Sequence, residues 1–362
     1  MNTNYYAVIM AGGIGSRFWP MSRASYPKQF LDILGTGKTF IQYTYERFKK
    51  ICPEENILIV THESYKGLIK EQLPNITDDQ ILCEPIARNT APCIAYAAYK
   101  IASKNAKGAM VVAPSDHLIL DEQKFIEEVE TSLEYSLAQN QLVTLGIKPS
   151  RPDTGYGYIQ FKKESEKSEE EFHQVKTFTE KPDLDLAKTF VKSGEFLWNS
   201  GIFVWSVKSI LKGLHKHLPE IEEVFKDVKG HYYTPKEEAA ILKAYEHCTN
   251  ISIDYGLMEK ATNVMVKPVE FGWSDLGTWG SLQSIIEKDY LGNAAIGKNI
   301  IIYDSTDCII KASDDKLIVA QGLKDFIVVD TKDALLICKT SKEQDIKKIV
   351  ADVKKMSGDK FS

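Results

Sequence analysis

The chain has 362 residues, 43% of them hydrophobic and 26% charged, an ordinary globular balance with room for one large domain and one small one. Its formal net charge of −5 argues against a nucleic-acid partner, whose phosphate backbone calls for a basic face. Every apolar run is broken short of the roughly 18 residues that a membrane span needs, so no membrane association is expected.

In chain order, the first half alternates β-rich runs with helical stretches. Residues 6–10, 56–61, 108–113 and 142–146 read as strands, and 40–51, 91–104 and 122–139 as helices. The first strand leads straight into a glycine loop and is not expected to be a secretion signal. This alternation predicts an α/β, doubly wound, Rossmann-like fold: a mostly parallel sheet covered on both faces, with ligands at the strand C-termini. The polar stretch 162–171 reads as a solvated loop or hairpin tip. Trp198, Phe203 and Trp205 alternate as strand residues facing a core.

A second pattern begins near residues 290–297. Short apolar runs (IIIY, CIIK, KLIVA, FIVV, ALLIC) recur from 299 to 338, separated by turn signals at Asp304-Ser305, Ser313-Asp314-Asp315 and Thr331-Lys332-Asp333. This predicts a small β-rich C-terminal domain, 291–362, after a larger domain, 1–290. Ser341 and Gln344 form a capping-box pattern ahead of a final amphipathic helix marked by Ile346, Ile349, Val350 and Val353. The six cysteines, Cys52, Cys83, Cys93, Cys248, Cys308 and Cys338, are scattered without a CxxC pair. They are expected to be reduced and mostly buried in a cytoplasmic protein.

The loop after the first strand reads AGGIGSRFWPMSRASYPKQF. Gly12, Gly13 and Gly15 let backbone N–H groups approach phosphate oxygens, and Ser16 follows them. Arg17 can grip a phosphate through two nitrogens, and Lys28 can add a point charge. Residues 1–31 contain no Asp or Glu, so an anion can be held locally by a protein that is acidic overall. The loop is not a dinucleotide fingerprint, because Phe18 stands where its third glycine would be. Nor is Gly37-Lys38-Thr39 the end of a P-loop, since Asp32 stands where that motif's first glycine would be. Thr39 and Gln42 instead make a capping box for the helix that begins at Phe40.

This string resembles the signature of sugar-nucleotide pyrophosphorylases, and its FWPMSR and YPKQFL portions are similar to mannose-1-phosphate guanylyltransferases in particular. Further matches follow in order: EPIARNTAP (84–92), APSDH (113–117), TGYGYI (154–159), FTEKP (178–182), WNSGIF (198–203), SIDYGLMEK (252–260) and FGWSDLGTW (271–279). They cover nearly the whole chain. Longer members of the family carry an isomerase domain after this point, and none is expected here. By analogy, the C-terminal domain is a candidate homodimer surface.

Asp116 lies just after a strand, and Asp275 in a Gly/Trp-rich turn. Taken alone, each is more often a turn or cap residue than a metal ligand. The resemblance implies that both hold Mg2+, which typically takes one or two carboxylates plus phosphate oxygens. His117 reads as a hydrogen-bonding loop residue. The resemblance also implies that Arg17 and Lys28 stabilise departing pyrophosphate and that Lys181 holds the phosphate of the incoming sugar. Glu180 and Asn199 suit paired sugar hydroxyls, and Gly157 permits a backbone contact with the ring. For Asn199 a plain turn role stands beside this one.

Glu84 precedes Pro85 in what reads as a loop. A carboxylate there can accept both donors of guanine, N1–H and the exocyclic NH2. The alternative is a surface pair with Arg88. Asn89 and Thr90 are expected near the nucleotide and as caps of the following helix. The expected reaction is GTP plus mannose 1-phosphate giving GDP-mannose and pyrophosphate. The rivals are the same chemistry with UTP or dTTP and glucose 1-phosphate, and a non-catalytic nucleotide-sugar-binding subunit.

Overall fold

The computed structural model describes residues 1–162, 171–313 and 315–362. The expected loop at 162–171 therefore falls largely outside the described residues, as does Asp314 of one expected turn. The chain divides into two compact units that interleave along the sequence. One comprises Met1–Gly12, Thr44–Ser115 and Ile119–Trp273, the other Gly13–Tyr43, Asp116–Leu118 and Ser274–Ser362. A division at residue 290 follows chain order, whereas these units follow contacts.

The strands in chain order through both units are β1 (Tyr5–Ala11), β2 (Ile57–His62), β3 (Ile81–Glu84), β4 (Ala109–Pro114), a two-residue β5 (Leu118–Ile119), β6 (Leu142–Ile147), β7 (Gly157–Phe161), β8 (His173–Glu180), β9 (Phe196–Ser206), β10 (Val264–Val269) and a two-residue β11 (Trp273–Ser274). The β-rich segment adds β12 (Ala294–Ile296), β13 (Ile300–Tyr303), β14 (Ile309–Lys311), β15 (Ile318–Gln321), β16 (Phe326–Asp330) and β17 (Leu335–Lys339).

The first unit is built on a nine-stranded sheet in the order β3-β2-β1-β4-β9-β6-β10-β8-β7. The β3-β2-β1-β4 side is parallel, as are β6 and β10. β9 runs antiparallel between β4 and β6, and β8 antiparallel between β10 and β7. The sheet is thus mixed rather than uniformly parallel. Its central strands are apolar at almost every position because both faces are covered: Ala7, Val8 and Ile9 are fully buried. One face carries helices Thr90–Lys104, Val207–His217, Pro219–Asp227 and Glu237–His247 in a single buried cluster with Val8, Leu58, Val60, Met110 and Trp205. Helix Glu122–Gln139 packs on β4, β6 and β9 from outside that cluster, burying Phe125, Val129 and Leu133. Trp198, Phe203 and Trp205 are buried on β9, as their alternation suggests.

In the second unit β12, β14 and β16 pair in parallel, as do β13 and β15, and β17 closes antiparallel on β16. Ile300 lies opposite Ile318 and Ile309 opposite Ile327, so the chain advances 18 residues and returns beside itself. Such coils stack their inward side chains, here Cys308, Ile310, Ala320 and Val328. Among the described residues all six cysteines are free, and no helix is long and apolar enough to cross a membrane.

Candidate active site

From Gly13 onward the signature loop belongs to the second unit. Gly15 has φ +69°, and a Cβ there would lie 2.5 Å from Lys28 Cβ, so only glycine fits this close approach. The helical turn Ser16–Phe18 follows, and Phe18 is buried 4.9 Å from the Trp279 ring. Gly13 has open space on its Cβ side, and Gly12 and Gly13 are both exposed.

Lys28 is 2% exposed, and its ammonium donates to three acceptors: Asp116 O and Oδ2, each at 3.0 Å, and Asp275 O at 2.7 Å. An ammonium has three donors, so one lysine joins two loops 159 positions apart in the sequence. The rings of Phe18 and Phe40 stand 5.5 and 5.3 Å from the same charge. Burial pushes the Asp116 carboxyl upward, but the charge and hydrogen bond of Lys28, with His117, hold it below the usual range. Asp275 Oδ1 accepts from Gly277 N at 3.0 Å, and a Cβ on Gly277 would lie 2.5 Å from Oδ2. The intervening Leu276 has φ +43°, which is unfavourable for a branched aliphatic side chain. Backbone strain of this kind collects at functional sites. Arg17 donates through Nε to Gln344 Oε1 at 2.9 Å.

The nucleotide candidates of the first unit stand at strand C-termini. Glu84 is not in a loop and does not pair with Arg88, as the alternative reading had it. It is the last residue of β3, 8% exposed, because the short apolar run before it pairs with β2 through His62. Its Oε1 accepts from the Tyr245 hydroxyl at 3.0 Å, while Arg88 Nε donates to Tyr245 O at 3.2 Å. The other oxygen faces Gly12, where a Cβ would lie 3.7 Å away. Burial lifts the Glu84 carboxyl to about 7, against the lowering effect of the Tyr245 hydrogen bond. Asn89 caps helix Thr90–Lys104 through Thr90 N at 2.9 Å, and its φ of 67° with ψ −171° is a region used almost only by glycine. The Thr90 hydroxyl accepts from Ile253 N at 2.9 Å.

Gly157, Glu180 and Asn199 come together across β7, β8 and β9. Gly157 pairs with Glu180, and a Cβ on Gly157 would lie 2.3 Å from Glu180 Oε2 and 3.4 Å from Asn199 Cβ. Lys181, at φ +49°, folds back so that its ammonium is 2.6 Å from Glu180 Oε1. Sequence reasoning missed Asp254, which receives Asn199 Nδ2 at 2.7 Å. Burial, and next the nearby Glu180, raise its carboxyl to about 6. Nothing local in SIDYG marks it, but it opens the five-residue π-helical turn Asp254–Met258, a rare form that is frequent at functional sites.

A Mg2+ ion fits the donors present. Asp116 and Asp275 offer hard oxygens, and one of them is held ionised by Lys28. Among the described residues no group of three or more His, Cys, Asp or Glu could close a shell alone, so phosphate and water oxygens would have to complete it.

Comparison with known proteins places the chain. Residues 6–290 match the family model for nucleotidyl transferases, and residues 298–353 that for the mannose-phosphate isomerase/GMP-like β-helix domain. A mannose-1-phosphate guanylyltransferase of Salmonella montevideo is 37% identical over 353 residues, 96% of this chain and 73% of the relative. Mannose-1-phosphate guanylyltransferase RfbM of Salmonella typhimurium is 38% identical over 358 residues, 97% of this chain and 73% of the relative. A crystal structure from Thermus thermophilus, described as a mannose-1-phosphate geranyltransferase, aligns with TM-score 0.86 at 29% identity, covering 97% of this chain and 99% of the other. The chain therefore belongs to the nucleotidyltransferase family, in a branch that includes relatives named mannose-1-phosphate guanylyltransferase.

Proposed function

We infer that this protein transfers a guanylyl group from GTP to mannose 1-phosphate, releasing pyrophosphate. The observation that carries this reading is the Lys28 ammonium, which ties Asp116 and Asp275 together in a chain whose 37%-identical relative bears that name. An oxygen of the sugar phosphate attacks the α-phosphorus, and the bond from that phosphorus to the β-bridging oxygen breaks. The nucleophile is already largely ionised at neutral pH, so positioning and charge stabilisation suffice. Arg17, with the backbone of Gly12, Gly13, Gly15 and Ser16, receives the triphosphate, and Asn89 and Thr90 shape the nucleotide side. Lys28 supplies fixed positive charge and sets the two aspartates. Lys181 takes the phosphate of the incoming sugar, while Gly157, Glu180 and Asn199 read its hydroxyls. Mg2+, bound by Asp116 and Asp275, would neutralise charge on the phosphates. On the same reading the enzyme is cytoplasmic, takes no nucleic-acid or membrane partner, and uses 291–362 as a homodimer surface. Labelled GTP tests the bond that breaks: α-label should enter the sugar nucleotide and γ-label the pyrophosphate. γ-Label in a sugar phosphate would make the protein a kinase and refute the reading.

The Glu84 carboxyl makes the base assignment pH-dependent. Guanine offers two donors, so it needs the ionised form, and a group titrating at about 7 must lose a proton to bind below that pH. The dissociation constant for GTP should therefore rise as pH falls from 8 to 6, approaching about tenfold per unit below 7. Glu84→Gln should bind GTP more weakly at pH 8 and lose this pH dependence. A wild-type profile that the substitution leaves unchanged would return the guanine preference to other residues.

A further inference from the structure

Ser341 and Gln344 read as a capping box, but Gln344 does not cap. Residues Thr340–Asp345 form a separate helical turn, and the helix Ile346–Ser357 starts at Asp345 without a side-chain cap. The Gln344 carboxamide is turned instead to Arg17, 327 residues away, accepting the Nε hydrogen at 2.9 Å. This bond is one of several between the signature loop and the C-terminal segment within the second unit. Trp19 Nε1 donates to Phe361 O at 2.6 Å, and Arg23 Nη2 to Asp333 Oδ1 at 2.8 Å. Beneath them Phe18 and Trp19 share one buried cluster with Ile346, Leu276 and Trp279. The residues just after Arg17 are thus anchored through their side chains, and Gln344 holds the Arg17 side chain itself.

The chemistry of a guanidinium gives that bond a use. Its five N–H groups lie in one plane, with Nε on one side of the central carbon and the two terminal nitrogens on the other. An acceptor on Nε sets the plane of the group while the terminal pair stays directed outward, the end-on arrangement that grips two phosphate oxygens. Without it a side chain with several rotatable bonds must order itself when the nucleotide arrives.

The geometry points to Gln344 as a positioning residue that orients the Arg17 guanidinium for the triphosphate of the nucleotide substrate. This role rests on the reading of Arg17 as a phosphate-binding residue. Gln344 is exposed, so its removal should cost little stability.

The test is a double-mutant cycle on the full chain with Gln344→Ala, Arg17→Ala and both together. Readouts are kcat/KM for GTP, KM for mannose 1-phosphate, and Tm. Gln344→Ala should lower kcat/KM for GTP by roughly three- to tenfold. It should leave Tm and the sugar-phosphate KM at parental values, and add no further loss in the Arg17→Ala background. Gln344→Glu, which keeps an acceptor, should recover most of the efficiency. A Gln344→Ala variant at parental efficiency, or one losing the same factor in both backgrounds, overturns the role of Gln344 and leaves that of Arg17 standing. Arg17→Ala at parental efficiency overturns both.

Discussion

Lys28→Ala is expected to lower turnover by about a hundred- to a thousandfold, the usual consequence of losing one preorganised charge from a site of developing charge. The structure makes the loss larger than a missing point charge. Lys28 is 2% exposed and its three donors are all engaged, so truncation strips a partner from the Asp116 carboxylate and from the Asp275 carbonyl together. It also empties the space between Phe18 and Phe40. Stability should fall as well, which calls for Tm beside the kinetics. Lys28→Arg keeps the charge but puts a planar fork where a compact ammonium fits, with Gly15 pressed against the stem, and should recover little activity. Turnover of Lys28→Ala within a factor of two of the parent would remove the residue from the mechanism.

Asp116→Asn and Asp275→Asn are the second pair, each expected to abolish or severely depress activity and to raise the Mg2+ concentration required. The change keeps the side-chain shape, so the fold should survive. What goes is one negative charge, which at Asp116 is also the counter-charge of a buried ammonium. Burial raises the Asp116 carboxyl, yet Lys28 and His117 bring it below the usual carboxylate range. The charge needed is therefore present throughout the neutral range, and no activity should be lost there through its protonation. Chelation should silence the parent and excess Mg2+ restore it. Titration of Mn2+ in the presence of GTP gives a readout apart from turnover, and both variants should bind it more weakly. Full activity in EDTA would contradict the metal-dependent reading.

The local chemistry of the proposed anion loop is legible in the sequence: an apolar strand runs into glycines, then Arg17 and Lys28 stand in an acid-free stretch. What the sequence does not carry is which distant residues share a hydrogen bond. Nothing in APSDH or GWSDLG reveals that one lysine holds both segments, since each aspartate alone fits a turn. Glu84 read as a loop residue because the run before Pro85 is only a few residues long, yet β2 supplies a partner that makes it a buried strand end. The antiparallel β9 turns the sheet mixed, and strand direction leaves no mark on an apolar run that is buried on both faces. Asp254 and Gln344 were passed over for related reasons. One is a carboxylate whose significance lies in its hydrogen bond from Asn199 of β9, the other a glutamine that satisfies a local capping pattern and is used elsewhere. The 18-residue coil escaped notice because its strands are three to five residues long and its turns differ from one another.

The most direct measurement is a substrate panel on the purified protein with Mg2+, in which each nucleoside triphosphate is paired with mannose 1-phosphate and with glucose 1-phosphate. Pyrophosphate release and the mass of the nucleotide product are followed together. GTP with mannose 1-phosphate should give GDP-mannose and pyrophosphate in equal amounts, at the highest kcat/KM of any pair. A higher efficiency with UTP or dTTP, or pyrophosphate absent from every pair, would contradict the account.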